Sequence, residues 1–285
     1  MKVPLNIDLK GKTAVVTGGG GVLCGCFSEA LGKCGANVAV LDLRKEAAKK
    51  IADKINADGG SAIAIEANVL NIDSLLKAEE IITDKFGPHH ILINGAGGNH
   101  PKGTTSNEFL TLEDLKIKNE ALVTFFDLDL EGFEFVFNLN FIGTLLPTQV
   151  FAKKMINQKG AVIINISSMN AFRPLTKIPA YSAAKAALSN FTRWLAVHLS
   201  KVGIRVNAIA PGFFLTDQNR NLLINKDGTY TPRAEKIMSH TPMQRFGVPE
   251  DLLGTLLWLI DEEASGFVNG IIVPVDGGFS AYSGV

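Results

Sequence analysis

The chain has 285 residues, enough for one large domain or two small ones and for a core that needs no disulfide or metal to hold it. Hydrophobic residues make up 46% of the sequence and charged residues 20%, a composition that excludes intrinsic disorder. Because 28 basic and 28 acidic side chains give a formal net charge of +0, neither nucleic acid nor an anionic membrane is expected as a partner.

The sequence lacks the features of a secretion signal or a membrane anchor. Its N-terminal residues have no signal-peptide apolar region, and the apolar run Leu252–Ile260 spans nine residues where a bilayer requires roughly 20. Three cysteines, Cys24, Cys26 and Cys34, show neither a metal-ligand spacing nor a partner histidine cluster, so no metal site is expected. Such sparse cysteine usage is typical of a reducing compartment and predicts a cytoplasmic protein.

Apolar, β-branched segments alternate along the chain with segments of helical periodicity. In chain order, the predicted strands are Thr13–Thr17, Asn37–Asp42, Ala62–Ile65, Ile91–Asn94, Ala161–Ser167, Ile204–Ala210 and Ile271–Val275. One helix is predicted between Gly21 and Gly35, and the others are Arg44–Ala57, Ile72–Phe86, Phe135–Thr144, Ala180–Lys201 and Glu250–Ile260. This alternation predicts a doubly wound, seven-stranded parallel sheet with helices on both faces, in a single α/β domain spanning residues 1–285.

Two long excursions interrupt this alternation, one at about 98–130 after the fourth strand and one at about 213–248 after the sixth. Their central parts are His100–Phe126 and Asp217–Gly247. Ligands bind at the carboxyl ends of the strands in sheets of this kind, so we predict that both excursions shape a substrate pocket. Surface decoration or a subunit contact is the alternative.

A run of glycines, Gly18–Gly21, directly follows the first strand and opens the first helix. Backbone without side chains lets a pyrophosphate come close, and the helix N-terminus offers it free N–H groups and a positive dipole end. Asp42 ends the second strand, 25 residues after Thr17, where a carboxylate accepts hydrogen bonds from the hydroxyls of an adenosine ribose. Since that carboxylate repels a 2′-phosphate, NAD is favoured over NADP, although the nearby Arg44 is able to bind such a phosphate.

Tyr181 and Lys185 are four residues apart in the longest predicted helix, so their side chains share one face. A free phenol has a pKa of about 10 and exchanges protons poorly at neutral pH. An ammonium group about 4 Å away is worth about 4 kcal/mol at an effective dielectric constant near 20, which lowers that pKa by roughly three. Ser168 lies 13 residues before Tyr181, where its hydroxyl is expected to hydrogen-bond the reacting oxygen of a substrate.

Taken together, these motifs resemble those of the short-chain dehydrogenase/reductase family, and the resemblance covers nearly the whole chain. The TGxxxGxG turn of that family matches Thr17 and Gly18–Gly21, but Val22 and Cys24 stand where the family has its second and third glycines. The other family motifs are found at Asn68 and Val69 for Asp-Val, at Asn94–Gly97 for NNAG, at Asn140 and Gly143 for NxxG, and at Pro211, Gly212 and Thr216 after the sixth strand.

The resemblance implies a Rossmann fold and hydride transfer between a nicotinamide and a carbon that bears oxygen. It implies that the catalytic residues are Asn140, Ser168, Tyr181 and Lys185. It also implies NAD-binding roles, with NADP less favoured, for Gly18, Gly20, Gly21, Val22, Leu23, Asp42, Asn68, Val69, Asn94, Ala96, Gly97, Tyr181, Lys185, Pro211, Gly212, Phe214 and Thr216. Members of the family are usually homotetramers or dimers, packed through the helix that carries the tyrosine and through the last helix and strand.

Polar and basic residues follow the carboxyl ends of several strands, which favours a polar small-molecule substrate over a steroid. These residues are Asn99, His100, Asn170, Arg173, Lys177, His240 and Arg245, of which Asn99, Asn170 and Arg173 are the predicted substrate contacts. The Arg173 guanidinium is predicted either to bind a carboxylate bidentately or to form a structural salt bridge or subunit contact. The long insertion and residues 276–285 resemble a subgroup assigned to sugar-acid metabolism, including D-mannonate oxidoreductase (fructuronate reductase) types, so a hexuronate or aldonate is the predicted substrate.

Two other functions share part of this pattern. A 3-ketoacyl thioester reductase has every one of these catalytic motifs but usually uses NADPH, which Asp42 disfavours. A protein that senses NAD without catalysis is the alternative from another class, and the altered glycine turn suggests it. Such a protein, however, has no need of the Ser168, Tyr181 and Lys185 set.

Overall fold

The computed structural model describes residues 7–116, 121–216 and 219–284. Within those ranges the strands are β1 (Thr13–Thr17), β2 (Asn37–Asp42), β3 (Ser61–Glu66), β4 (Ile91–Asn94), β5 (Val162–Ile166), β6 (Arg205–Pro211) and β7 (Ile272–Val275). The helices are α1 (Val22–Lys33), α2 (Lys45–Ala57), α3 (Ile72–Phe86), α4 (Leu130–Phe137), α5 (Gly143–Phe151), α6 (Pro179–His198), α7 (Arg220–Leu223), α8 (Pro232–Ser239), α9 (Leu253–Ile260) and α10 (Glu262–Ser265).

In the described part of the chain, the seven strands form one parallel sheet in the order β3-β2-β1-β4-β5-β6-β7. The chain reverses its winding direction between β1 and β4, where Thr17 lies beside Asn94. In doubly wound sheets, the crevice at the carboxyl ends of the strands beside this reversal is the usual ligand site. The doubly wound parallel sheet predicted from the sequence is confirmed.

Alternate residues of each strand pack into two apolar layers, one on each face of the sheet. Val16 belongs to the layer that includes side chains of α1, α2 and α9, among them Phe27, Leu31, Ile55 and Leu256. Val15 belongs to the opposite layer, with side chains of α3, α5 and α6 that include Leu75, Phe151 and Leu195. Burying each large apolar side chain is worth about 1.5–3 kcal/mol, so strands between two such layers are apolar at every position.

One predicted helix, Phe135–Thr144, differs from the structure. In place of one helix over this range, α4 ends at Phe137, and a π turn over Asn138–Ile142 connects α4 to α5. The predicted helix Ala180–Lys201 also ends earlier, at His198, and is followed by a 3-10 turn. The other predicted strands and helices agree with the structure to within a few residues at their ends.

The sequence predicts no segment that is long enough to cross a bilayer. When only length and composition are considered, that prediction is wrong. The continuous helical run Leu130–Met155 contains 26 residues and is apolar enough to pass that test. Half of its most apolar window is buried inside the protein, and both Val136 and Phe151 are fully buried. We therefore interpret this run as a core helix of the fold.

Candidate active site

The loop after β1 forms a narrow crevice lined by glycine backbone. Gly18 has a φ of +64°, and a Cβ atom there would lie 2.9 Å from the Cα of Ala96. At Gly20, a Cβ atom would lie 2.6 Å from the Cβ of Ala47. Both positions therefore require glycine, one because of its backbone conformation and both because neighbouring atoms leave no room.

The first turn of α1 offers backbone donors at this crevice. Gly21 is the N-cap residue, and the helix begins with Val22 and Leu23; within the described residues no side chain caps its N-terminus. Free N–H groups at a helix N-terminus and the positive end of the helix dipole together attract a pyrophosphate. The contributions that we expect from Gly21, Val22 and Leu23 are therefore those of their backbone groups.

Asp42 lies at the end of β2, beside the glycine loop. Its Oδ2 accepts a hydrogen bond from the N–H of Gly20 at 3.1 Å, and its Oδ1 accepts one from the N–H of Arg44 at 3.0 Å. The Nε of Arg44 is 3.8 Å from Oδ1, but the Arg44 side chain is 76% exposed whereas that of Asp42 is 11% exposed. These bonds fix the carboxylate next to the loop, the position that a ribose-binding acid requires.

Asn68 and Val69 follow β3 along the same edge of the sheet. The Oδ1 of Asn68 accepts a hydrogen bond from the N–H of Leu70 at 2.9 Å, which leaves a second lone pair for an adenine amino group. Val69 is buried, and its Cγ2 would lie 3.0 Å from a Cβ atom on Gly143. The side chain of Val69 therefore packs closely against the start of α5.

The Asn94 side chain lies in the interior of the protein, and its predicted cofactor contact stays a prediction. It is 1% exposed, and its Nδ2 donates to the Oγ1 of Thr148 at 3.0 Å and to the Oδ1 of Asn165 at 2.9 Å. Asn165 in turn donates to the Oγ1 of Thr192 at 2.9 Å. The Asn94 side chain thus connects β4 to β5 and α5, and it supports a cofactor site by positioning the backbone that follows it.

That backbone leads to Gly97, which lies against both Asn140 and Lys185. A Cβ atom on Gly97 would lie 2.6 Å from the Oδ1 of Asn140 and 3.4 Å from the Nζ of Lys185. Immediately before it, the N–H of Ala96 donates to the Oγ1 of Thr17 at 3.3 Å, which links the ends of β4 and β1. The two predicted loop residues, Ala96 and Gly97, therefore lie between the glycine crevice and the catalytic candidates.

Asn140 holds the backbone of Gly98 from both sides. Its Nδ2 donates to the carbonyl of Gly98 at 2.7 Å, and its Oδ1 accepts from the N–H of Gly98 at 3.2 Å. The same Nδ2 donates to the carbonyl of Val136 at 2.8 Å, within the helical run that contains the π turn. This fully buried asparagine therefore fixes the β4 loop relative to the helix that it lies on.

Tyr181 and Lys185 lie one turn apart on α6, as their spacing predicts. Lys185 is 4% exposed, and its Nζ donates to the carbonyl of Ile166 at 2.7 Å. The same Nζ is 5.6 Å from the centre of the Tyr181 ring. Burial lowers the pKa of Lys185 to about 8, so the ammonium group holds its proton less firmly than an exposed lysine does.

The pKa of Tyr181 is raised in this structure, opposite to the direction expected from the sequence. Burial raises it, and a hydrogen bond with Ser168 offsets part of the effect. The prediction assumed an ammonium group about 4 Å away at the dielectric constant of a protein surface. It omitted the cost of removing the phenolate from water, which is the larger effect in this structure.

Ser168 directly precedes a short 3-10 turn, Met169–Ala171, at the carboxyl end of β5. Its Oγ accepts a hydrogen bond from the N–H of Asn170 at 3.2 Å. Asn170 is 4% exposed, and among the described residues no donor reaches its Oδ1. A buried carbonyl oxygen without a partner is costly, so a ligand that donates a hydrogen bond here would be well accommodated.

The other predicted substrate residues are distributed more widely. The Nδ2 of Asn99 donates to the Oγ1 of Thr104 at 3.0 Å, and the Nδ1 of His100 accepts from the N–H of Lys102 at 3.3 Å. The Nε of Arg173 donates to the carbonyl of Ser280 at 3.1 Å, so the Arg173 side chain reaches the C-terminal segment.

Two of the basic candidates, Arg245 and His240, form contacts within the protein. Arg245 forms a bidentate ion pair with Asp251, with N–O distances of 2.6 and 2.9 Å, so its guanidinium is already neutralised. His240 is an exposed residue at the end of α8, where its Nδ1 lies 2.8 Å from the carbonyl of Lys236. The substrate contacts suggested for both residues stay predictions.

The segment after β6 lies between the sheet and the second excursion. The N–H of Gly212 donates to the carbonyl of Val275 at 3.0 Å, and a Cβ atom on Gly212 would lie 2.6 Å from the Cα of Asp276. Phe214 is buried and pairs with Gly247 through an isolated bridge. These residues border a cavity of about 240 Å³ lined by Phe213, Phe214, Thr241, Met243, Arg245, Gly247, Asp251, Val275, Asp276 and Gly277.

Thr216 ends this segment in a local turn. Its N–H donates to the Oδ1 of Asn219 at 2.9 Å, and its carbonyl accepts from the N–H of Arg220 at 2.9 Å. The Nδ2 of Asn219 also donates to the carbonyl of Phe214 at 2.7 Å. Pro211, the last residue of β6, is buried, so the predicted segment begins in the sheet and ends in a turn that Asn219 holds.

The two excursions are connected to each other and to the loop between β5 and α6. The Nζ of Lys236 on α8 is 2.5 Å from the Oε2 of Glu108 in the first excursion. The N–H of Thr105 in that excursion donates to the carbonyl of Lys177 at 2.9 Å. The ion pair joins residues 128 positions apart, and no local sequence signal identified it.

Residues 12–227 match the sequence model of the short chain dehydrogenases. This chain is a member of the short-chain dehydrogenase family. Like other members it is an oxidoreductase, and its expected Rossmann fold is confirmed. An uncharacterized oxidoreductase of Haemophilus influenzae is 59% identical over 285 residues, covering 100% of this chain and 99% of that protein. The uncharacterized oxidoreductase UxuB of Bacillus subtilis is 55% identical over 99% of this chain and 100% of its own.

A solved structure identifies the cofactor of this dehydrogenase. A crystal structure from Haemophilus influenza, of a protein proposed to be a D-mannonate oxidoreductase, contains bound NAD. It is 59% identical to this chain, has a TM-score of 0.93, and the match covers 98% of this chain and 99% of that one. The glycine crevice and the Asp42 carboxylate fit the same group, so the cofactor is NAD, as the sequence predicted.

Proposed function

We propose that this short-chain dehydrogenase interconverts a secondary alcohol and a ketone in a sugar acid, of the fructuronate and mannonate type. The observation that carries the proposal is the pair of polar residues after Ser168: Asn170 has a buried oxygen without a partner among the described residues, and Arg173, three residues later, is hydrogen-bonded to the same short turn through Met169. Asn99 in the first excursion is a third proposed contact. The name given to the NAD-bound relative supports the same substrate class.

The proposed roles of the catalytic candidates are those that the family resemblance implies. Bound NAD supplies or accepts the hydride at its nicotinamide ring. Tyr181 gives a proton to the substrate oxygen during reduction and takes it back during oxidation, and Ser168, its hydrogen-bond partner, orients that oxygen. Lys185 holds the ribose and stabilises the phenolate, while Asn140 keeps the adjoining loop in place and supports a proton relay from Lys185.

The remaining proposed cofactor contacts surround this group. Glycine backbone and the start of α1 bind the pyrophosphate, Asp42 binds the adenosine ribose, and Asn68 and Val69 border the adenine. On the nicotinamide side, the contacts are assigned to Ala96, Gly97, Pro211, Gly212, Phe214 and Thr216.

We further propose that the chain is one domain with its substrate loops at about 98–130 and 213–248, and that it acts as a cytoplasmic homotetramer or dimer. The three cysteines are free, as a reducing compartment would keep them. On α6, the rings of Trp194 and His198 stack with centres 4.5 Å apart, and Trp194 is 55% exposed. An exposed aromatic stack of this kind suits a contact with a second copy of the chain.

The test is a comparison of substrates with the purified protein. NADH oxidation is followed with D-fructuronate, 5-ketogluconate and an acetoacetyl thioester, and the highest kcat/KM is expected with one of the two sugar acids. A higher kcat/KM with the thioester would overturn the proposal in favour of a 3-ketoacyl thioester reductase. Tight NADH binding without turnover of any of the three would favour an NAD-sensing protein instead.

A further inference from the structure

The chain makes a compact turn after β7 that is organised by one carboxylate. The Oδ1 of Asp276 accepts a hydrogen bond from the N–H of Gly278 at 2.9 Å, and its Oδ2 accepts one from the N–H of Ser280 at 2.9 Å. Gly277 and Gly278 have φ values of +63° and +89°, which few other residues adopt. We call Asp276–Ser280 the C-terminal turn.

The C-terminal turn is packed against the segments that border the substrate side of the site. A Cβ atom on Gly278 would lie 3.2 Å from the Cγ of Pro242, so the turn is in close contact with the end of the second excursion. The ring of Phe279 meets the edge of the Phe213 ring, with centres 5.2 Å apart. The position of the turn is therefore fixed relative to the segment that follows β6.

Arg173 connects the loop between β5 and α6 to this turn. It lies five residues after Ser168 and eight before Tyr181, and its N–H donates to the carbonyl of Met169 at 3.0 Å. Its Nε donates to the carbonyl of Ser280 at 3.1 Å. Asp276 thus holds the Ser280 backbone, and the Ser280 carbonyl accepts from the Arg173 guanidinium.

The bond to Ser280 leaves the outer edge of that guanidinium available. One of its five N–H groups is used, and the remaining four lie on the two terminal nitrogens, which match the two oxygens of a carboxylate. Within residues 7–116, 121–216 and 219–284, no carboxylate forms an ion pair with Arg173. The structural salt bridge that the sequence left open is not found there.

We propose that Arg173 is a specificity-determining residue that binds the carboxylate of the substrate, and that Asp276 is the positioning residue that sets its orientation through the C-terminal turn. The inference rests on the proposed function and names the chemical feature by which the site selects acids over neutral sugars. A neutral ketose of the same length lacks the group that pairs with the guanidinium and leaves that cation without a partner.

The first experiment compares D-fructuronate with D-fructose, which carries a hydroxymethyl group in place of the carboxylate. In Arg173→Gln, the preference for D-fructuronate, expressed as a ratio of kcat/KM values, is expected to fall about 10- to 100-fold, mainly through KM, since one charge-assisted contact is lost. Arg173→Lys keeps the charge without the planar fork and should fall in between. Arg193→Gln, which removes a guanidinium from the exposed surface of α6, is the matched control and should keep the wild-type preference.

The second experiment tests the positioning role of Asp276. Both Asp276 oxygens accept from backbone N–H groups, and asparagine has only one acceptor oxygen, so Asp276→Asn loosens the turn and is expected to raise the KM for D-fructuronate less than Arg173→Gln does. Combined with Arg173→Gln, it should add little, because both changes act on the same contact. A fluorescence titration with NADH, expected to give the wild-type affinity for both single variants, separates this effect from general damage to the site.

The outcomes distinguish the two proposals. If the wild-type protein reduces D-fructuronate and Arg173→Gln keeps its preference, the role of Arg173 is overturned while the proposed function stands. Equal losses on D-fructuronate and D-fructose would also overturn it, because they indicate a structural role. If the wild-type protein neither reduces D-fructuronate nor binds D-mannonate in its NADH complex, both proposals are overturned.

Discussion

The Sγ atom of Cys24 fills the space in front of Gly95. A Cβ atom on Gly95 would collide with this sulfur and would lie 2.9 Å from the carbonyl oxygen of Thr17. Cys24 occupies a position where the family has glycine, and Gly95 occupies a position where the family has asparagine. At this contact the larger side chain is therefore on α1, and the residue without a side chain follows β4. Burial raises the pKa of Cys24 to about 12, so the side chain remains a thiol and acts by filling volume.

We expect Gly95→Ala to lower the free energy of unfolding by about 1–3 kcal/mol, the usual cost of overpacking. The loss should be partly relieved in the background of Cys24→Ala, which removes the colliding sulfur, with the Thr17 carbonyl responsible for the remainder. Urea unfolding of both single variants and the double variant gives the coupling energy. Gly254→Ala is the control, since a Cβ there meets nothing within 4 Å on a regular helix. Simple additivity would contradict a direct contact between these two positions.

Asp42→Ala is expected to shift the coenzyme preference towards NADP. Hydrogen bonds from the N–H groups of Gly20 and Arg44 hold the carboxylate beside the glycine loop. Its removal takes away the proposed acceptor for the ribose hydroxyls and a negative charge that repels a 2′-phosphate. The ratio of kcat/KM for NADPH over NADH should rise at least about 10-fold, given the size of a like-charge repulsion at short range. Asp53→Ala, which removes an exposed acid of α2, should leave the ratio unchanged. An unchanged ratio in Asp42→Ala would exclude the assigned ribose contact.

Tyr181→Phe is expected to lose about 10²- to 10⁴-fold in kcat, the usual contribution of a positioned acid or base, while it retains NADH binding. Steady-state assays and a fluorescence titration measure the two effects separately. Tyr230→Phe removes a phenol from the edge of the Phe246 ring in the second excursion and is the matched control. A near-normal kcat in Tyr181→Phe would remove Tyr181 from the mechanism.

His89 should make the protein less stable below neutral pH. The ring is fully buried against Phe151. Burial lowers the pKa of His89 from 6.5 to about 4, so the unfolded chain binds a proton that the folded protein does not bind between these values. The stabilisation is present above the unfolded value and is lost as the pH falls towards 4, by about 2 kcal/mol between pH 7 and pH 5.

The corresponding variant is His89→Leu, which removes the titrating group without leaving a buried polar atom. Its free energy of unfolding, measured by urea at pH 7 and pH 5, should fall less over this interval than that of the wild type. His240→Gln removes an exposed histidine and should behave as the wild type does. If His89→Leu loses as much stability as the wild type, another group causes the acid sensitivity.

The sequence was sufficient for the fold because its information is local. Strands between two apolar layers, such as Thr13–Thr17, are apolar and β-branched at nearly every position, and glycines follow where the chain turns. The π turn around Asn140 could not be predicted, because the contacts of that asparagine include the backbone of Gly98, 42 positions away. The same holds for Arg173, whose partner carbonyl at Ser280 is 107 positions away.

Within the candidate site, the shared helix face of two residues could be predicted from the sequence, but the direction of a pKa shift could not. The spacing of Tyr181 and Lys185 gives a shared helix face, which the structure shows, with the ammonium 5.6 Å from the ring centre. The direction of the Tyr181 pKa depends on burial by the surrounding chain, which no spacing reports. Asn94 illustrates the same limit, since its motif does not indicate that its amide donates to Thr148 and Asn165.

With Tyr181 in its proposed role of proton donor and acceptor, its raised pKa would make the two directions of the reaction unequal in their demand for acid and base. A phenol that stays protonated through neutral pH already carries the proton that ketone reduction consumes in each turnover. Alcohol oxidation begins only once that proton has left, so alkaline conditions assist this direction while they deplete the opposite one. Under that proposed role, the burial of one aromatic ring would tie the faster direction of the reaction to the acidity of the surroundings.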